Sequence, residues 1–165
     1  MTTQSPTTGP TAGRMGGPAT SGPWAARVVP WAAQVVVAVI LAQTLFFKFT
    51  YAPETRYIFE SRGGRPAATL VGLAELACVV LLLIPRCAAT GAALGLAVIG
   101  GAILTHLTSL GIEVKNPDTG EGDGGLLFGL ALAVAAGSLV VLAFRWRQLP
   151  FVGRLRERLG MGRAA

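Results

Sequence analysis

Apolar positions in this 165-residue chain do not recur on one face of short elements; they gather into four long runs. Trp31–Phe49 reads WAAQVVVAVILAQTLFFKF and Ala67–Ile84 reads AATLVGLAELACVVLLLI. Ala88–Leu110 reads AATGAALGLAVIGGAILTHLTSL and Gly125–Phe144 reads GLLFGLALAVAAGSLVVLAF. A helix needs about 20 apolar residues to cross a bilayer, whereas the helices of a soluble core are shorter and keep a polar face. The pattern predicts four membrane-spanning helices. Only Pro85, Arg86 and Cys87 separate the second run from the third. Proline cannot continue the helical hydrogen-bond ladder, so these two runs are expected to form a tight hairpin.

The expected fold is therefore all-α: an antiparallel four-helix transmembrane bundle over residues 31–145. A Pro-, Gly- and Thr-rich segment, 1–30, precedes it and a basic amphipathic tail, 146–165, follows it. The first segment carries too few large apolar side chains to offset its ordering entropy, and is read as a disordered tail. A signal peptide is the rival reading of the first run. The run is longer than the usual core of about 7–15 residues, and the tail before it is long and not strongly basic.

Composition sharpens the membrane reading. Hydrophobic residues make up 52% and charged residues 13%, against about 25% charged in a typical soluble domain. An ordinary soluble enzyme and a disordered chain are both excluded. The net charge is +6, with a sequence pI near 10.4, and its placement decides its meaning. Only Lys48 and Glu75 fall inside the four runs. Arg14, Arg27, Arg86 and the C-terminal arginines from Arg145 to Arg163 all fall on one side; Arg56, Arg62, Arg65 and Lys115 fall on the other. Short loops rich in Lys and Arg stay in the cytoplasm, so both termini are expected there. The basic residues are tied to membrane ends and no recognition motif accompanies them, so nucleic acid is not an expected partner. The tail LPFVGRLRERLGMGR reads as a segment lying on an anionic leaflet or as a solvated flank.

Lipid supplies no hydrophobic drive between helices, so small residues must let backbones approach. Gly125, Gly129, Ala133 and Gly137 recur every fourth residue, and Gly91 and Gly95 mark the third run. These are the expected packing positions; whether a stripe faces a second copy of the chain stays open.

Candidate chemistry lies with the polar residues inside the runs. Insertion of a charged side chain at a helix centre costs roughly 2.5–3.5 kcal/mol. Glu75 lies eight residues into its run, about 12 Å deep at the helical rise. It must be neutral, hydrated or paired. Lys48, His106, Gln43, Thr44 and Thr105 fall at matching depth on neighbouring runs. Packed inward they would form one polar cluster, with Lys48 keeping Glu75 ionised and His106 donating a hydrogen bond. Two readings stand: a proton-handling or quinone-headgroup site, and a structural clasp that holds the helices in register.

Counting limits the cofactors. One histidine excludes bis-histidine haem ligation within the chain. Cys78 and Cys87 are nine residues apart, about 13 Å if helical, beyond disulfide reach. Cys78 is expected to pack in a helix and Cys87 to be a free thiol. The segment NPDTGEGDGG does not fit a calcium-loop spacing; no metal is expected, and Asp123 is read as a cap of the last helix. No cofactor is firmly implied, and a quinone is compatible with the polar set. The loop TYAPETRYIFESRGGRPA is expected to carry a short amphipathic segment on the outer surface, placed to act as a lid.

Taken together, these residues resemble the DoxX family of small bacterial membrane proteins. The matching features are Lys48 in FFKF, Gly72 and Glu75 in GLAE, the LLLIPR turn, and His106 in GGAILTHL after a run of small residues. The resemblance covers roughly residues 31–145 and neither tail. It implies a four-helix protein of the bacterial inner membrane. It also implies a role as subunit or scaffold of a quinone- or thiol-linked oxidoreductase system, with a membrane or peripheral redox partner. No nucleophile–base pair, metal cluster or phosphate loop marks an autonomous active site. The alternatives are a structural, partner-binding membrane protein and a small-solute or proton pathway.

Overall fold

The computed structural model describes residues 24–149 and Val152. Most of both tails therefore lies outside the described residues. The described residues are helical, joined by turns and one irregular loop. The order is α1 (Ala25–Thr50), α2 (Pro53–Phe59), a 3-10 turn (Glu60–Arg62), α3 (Gly64–Leu83), α4 (Ala88–Thr105), a π-helical turn (His106–Leu110), α5 (Leu126–Arg145) and a last 3-10 turn (Trp146–Gln148). Four of these stretches, Arg27–Thr50, Gly64–Leu83, Ala88–Leu110 and Leu126–Gln148, are long and apolar enough to cross a membrane.

The largest shift in boundaries is at the start. α1 begins at Ala25 and contains Pro30, so the end of the segment assigned to a disordered tail is helical. Pro30 lies in the second turn of α1, past the first-turn positions that tolerate proline, and removes one hydrogen bond of the ladder there. The apolar residues Val28, Val29 and Trp31 around it extend the span.

The four long helices form a closed square. α1 packs against α3 and α5, and α4 packs against the same two, while the diagonal pairs share no extended contact. Neighbours run in opposite senses. Gly72, early in α3, meets Lys48 and Phe49 at the end of α1, and Gly91, early in α4, meets Leu81 and Leu82 at the end of α3. Arg145, at the end of α5, donates to the Pro85 carbonyl at 3.1 Å. One end of the bundle thus carries the Pro85 turn and the end of α5. The opposite end carries α2 and the loop 111–125. We call these the turn end and the loop end.

Burial is distributed as a lipid solvent requires. The interior is built from Val37, Ala38, Ala88, Ala92, Ala131 and Val134, while Phe46, Leu70, Leu104 and Leu139 point outward. Water would penalise such an exterior. Between helices in lipid, small interior residues permit close contact and large outward ones meet acyl chains.

The expected glycine stripe on α5 does not form one packed face. Gly125 precedes the helix at φ +79° and meets the loop residue Ile112, Gly129 and Ala133 are exposed, and Gly137 is the member that meets a neighbouring helix, at Val37. A four-residue step on a 3.6-residue helix drifts by about 40° each time, so the row winds away from α1. On α4, Gly91 lies against the end of α3, and Gly95 sits beside Ser138 of α5.

Asp123 holds the start of α5. Its carboxylate accepts the backbone N–H groups of Leu127 (2.8 Å), Val114 (2.7 Å) and Gly125 (3.0 Å). Desolvation pushes its pKa up, but these three donors and the charge of His106 outweigh it and hold the carboxyl below its ordinary 3.8. Because the folded pKa is the lower one, the contribution is present above the unfolded pKa. It is lost as pH falls through the folded value. Asp123→Ala should cost about 1 kcal/mol near neutral pH, as loss of a cap does. The penalty should vanish in strong acid; thermal midpoints that differ between the two proteins by as much in acid as at neutral pH would contradict this role.

Candidate functional site

Within the loop half of the square lies a cavity of about 500 Å³. Its depth follows from the packing. Leu41, Ile99 and Val134 close its floor, and the diagonal helices are too far apart to fill the space above them. Most of its wall is aliphatic. The polar groups on it are Thr44 and Lys48 from α1, Arg62, Glu75 from α3, Thr105 from α4 and His106 from the π-helical turn.

Glu75 is buried, and its Oε2 lies 2.9 Å from Lys48 Nζ. The Thr44 hydroxyl is 3.0 Å from the same oxygen and 2.8 Å from the Leu41 carbonyl, so its single proton has two competing acceptors. Lys48 and Thr44 share one face of α1 because they are four residues apart. The expected pairing of Lys48 with Glu75 is thus present, and it ties α1 to α3.

His106 is buried 5% exposed and lies on the same cavity wall. The expected hydrogen bond from His106 to Glu75 is absent. Its Nδ1 instead contacts the Gly111 carbonyl at 2.8 Å. A carbonyl only accepts, so Nδ1 carries a proton, and Nε2 has no partner among the described residues. The arrangement depends on the π-helical turn: Gly111 N–H closes on the His106 carbonyl, and Gly111 turns the chain at φ +80°. Phe128 of α5 steadies the ring, with centroids 5.4 Å apart. Single π-turns inside α-helices are frequent at functional sites because they re-aim a side chain.

Two other expected members differ. Gln43 is exposed and lies outside the cavity. It follows Leu41 by two residues and precedes Thr44 by one, which turns it about 100° off the inward face. Thr105 lines the cavity, but its hydroxyl is spent on the Gly101 carbonyl of its own helix at 2.8 Å.

The loop between α1 and α3 closes the cavity at the loop end. Ile58 and Phe59 of α2 and the Arg62 side chain reach its wall. The amphipathic segment expected there is α2, which starts on Pro53 with Glu54 in its first turn. It is tied to the opposite loop by the Arg56–Asp118 ion pair and by Asn116 Nδ2 donating to Glu54 Oε1 at 3.0 Å. Arg62 donates to the Ile58 carbonyl and to Ser109.

Three polar residues escaped the sequence reading. Arg62 was counted only as a loop charge. Gln34 and Ser138 are buried in the turn half, and neither amide atom of Gln34 nor the Ser138 hydroxyl has a partner among the described residues. A signal for Gln34 existed: Gln34, Leu41 and Lys48 recur every seventh residue, which is two helical turns and one face. Cys78 and Cys87 are unbonded, the first buried and the second partly so. Compared with known proteins, the sequence matches no family model and no curated protein, and the chain matches no solved structure.

Proposed function

We propose that this chain is a DoxX-like integral membrane protein that serves a membrane-associated oxidoreductase system by binding a quinone headgroup in its cavity. The observation that carries this reading is the cavity itself. An aliphatic chamber of about 500 Å³ has few polar groups on its wall, among them a Lys48–Glu75 pair with its carboxylate buried and a histidine whose Nε2 has no partner among the described residues. A quinone is matched to such a chamber. Its ring needs apolar walls, its carbonyl oxygens need donors, and its reduction takes up protons with the electrons. Lys48 is the donor available to a carbonyl, His106 would donate through Nε2 only with its ring doubly protonated, and Glu75 and His106 are the groups able to pass protons. The electrons would come from a redox partner protein. Placement in a bacterial inner membrane with both termini cytoplasmic is part of the proposal, supported by Arg27, Arg86, Arg145 and Arg147 at the turn end.

The second reading, a structural clasp, is favoured by one contact set: Lys48 and Thr44 on α1 both engage Glu75 on α3. The two readings separate on binding. The full chain in lipid nanodiscs, titrated with a long-chain ubiquinone, should bind it saturably. Glu75→Gln and His106→Ala should each raise Kd by about tenfold or more, equivalent to about 1.4 kcal/mol. Saturable binding that ignores both changes, or no binding, sinks the quinone reading and leaves the clasp.

A further inference from the structure

We infer that the cavity opens sideways, between the loop halves of α3 and α4, and takes a membrane-dissolved amphiphile. Its polar head would rest on the Lys48–Glu75–His106 end, and its acyl or isoprenoid chain would trail through the opening into lipid. The inference rests on the cavity being a ligand site, as proposed above, but not on the ligand being redox-active.

The first observation is where the wall is uncovered. Only three wall residues are exposed: Arg62, Leu70 and Gly101. All three lie on the α3/α4 side, with Arg62 just ahead of α3. Leu70 is 67% exposed and yet lines the cavity. A residue meets both conditions only at a mouth.

The second observation is the course of the two helices. Near the turn they touch: a Cβ added at Gly91 would lie 2.7 Å from the Leu82 backbone nitrogen. Ten residues on, a Cβ added at Gly101 would meet nothing within 4 Å. The seam is closed at Gly91, whereas the wall residues Leu70 and Gly101 are uncovered in the loop half, and that uncovered stretch is the mouth.

The third observation is that the other sides are shut. Phe49 and Lys48 lie against Gly72 across the α1–α3 seam. His106 meets Phe128 across the α4–α5 seam. The cavity residues contributed by α1 and α5 are buried or half-buried. α2 covers the loop end, and Arg62, bonded to Ile58 and Ser109, spans the top of the mouth from α3 to the end of α4.

The chemistry of the mouth selects the ligand. Below Arg62 it is lined by Leu70, Val71, Ala74, Gly101 and Ala102, which offer water no side-chain partner. An apolar chain fits there, and a guanidinium at its rim suits the headgroup level. A water-soluble ligand would have no favourable path through it.

The test uses the full chain in nanodiscs containing a diazirine-bearing palmitic acid, photolysed and mapped by peptide mass spectrometry. Adducts are expected on interior wall residues such as Ala74, Val98 and Ala102. Gly101→Trp should plug the mouth and cut them by about fivefold, near 1 kcal/mol of occupancy. Gly100→Trp is the control: its added Cβ also meets nothing within 4 Å, and Gly100 is not on the cavity wall. It should leave the adducts unchanged. Leu70→Trp plugs the opposite rim and should repeat the Gly101→Trp result. Adducts confined to outward residues such as Phe46 and Leu139, or wall adducts indifferent to both plugs, overturn the inference. A long-chain ubiquinone added as competitor should displace the probe. Plug-sensitive wall labelling that the quinone fails to displace supports the opening while removing quinone as its occupant.

Discussion

Gly91→Ala is expected to destabilise the bundle by about 1–3 kcal/mol, the usual cost of overpacking a close contact. The added methyl would lie 2.7 Å from the Leu82 nitrogen, 2.9 Å from Leu81 Cβ and 3.0 Å from the Leu81 carbonyl carbon. Two of those three atoms are backbone, so no rotamer change relieves the clash. The hairpin cannot open locally either, because only Ile84–Cys87 joins α3 to α4. The strain must be relieved by separating the helices along the seam that Ala88, Ala92 and Leu82 now fill. Gly100→Ala in the same helix gives the contrast. It meets open space and should be neutral or stabilising by up to about 1 kcal/mol, from helix propensity alone. Thermal unfolding in mild detergent, followed by tryptophan fluorescence, measures both. Equal midpoints for the two variants would show that the α3–α4 hairpin is not held at that crossing.

Lys48→Met should be the most damaging single substitution at the polar site, at about 3–5 kcal/mol. This is the range seen when one partner of a buried pair is removed. It leaves the Glu75 carboxylate, whose side chain is 4% exposed, with only the Thr44 hydroxyl as a neutral neighbour. Glu75→Gln should cost less. The amide keeps the volume and a hydrogen-bond partner for Thr44, and Lys48, at 16% exposure, can extend its stem toward the loop end. The double variant Lys48→Met/Glu75→Gln should recover most of the loss, since it buries no unpaired charge. A double-mutant cycle on unfolding midpoints reads the coupling directly. Additive single effects would show that the two groups do not act as a pair. The double variant is also the useful reagent for function. If it folds as well as wild type yet binds no quinone, the pair serves the ligand and not only the α1–α3 seam.

How far these predictions could be reached from the sequence varies by residue. Lys48, Glu75 and Thr44 were legible because charge and depth narrow the choices. Two opposite charges in an apolar run at the same depth have few other partners, and a threonine one turn below Lys48 shares its face. Gln43 was misjudged because depth alone does not give rotation: one residue along α1 is about 100° around it. His106 was legible as an inward polar residue but not in its hydrogen bond. That bond depends on a π-helical turn and on the glycine that ends it, and a composition or periodicity argument does not see such a local change of pitch. The Asp123 cap was legible because capping is local, reaching only a few residues along the chain.

By itself the sequence determined the number, length and order of the apolar helices and the exclusion of nearly all charge from them. The physical reason is that bilayer thickness and the cost of desolvating charge act on each segment separately. The tertiary structure alone decided which faces meet. It turned Gln43 outward and brought Gly91 against α3. It also wound Gly129 and Ala133 away from α1 and left Leu70 and Gly101 uncovered on the wall of a cavity that Arg62 also lines. Those outcomes depend on the rotation and crossing of helices remote in sequence. Small differences in rotation decide whether a side chain fills the bundle, lines a cavity or faces lipid.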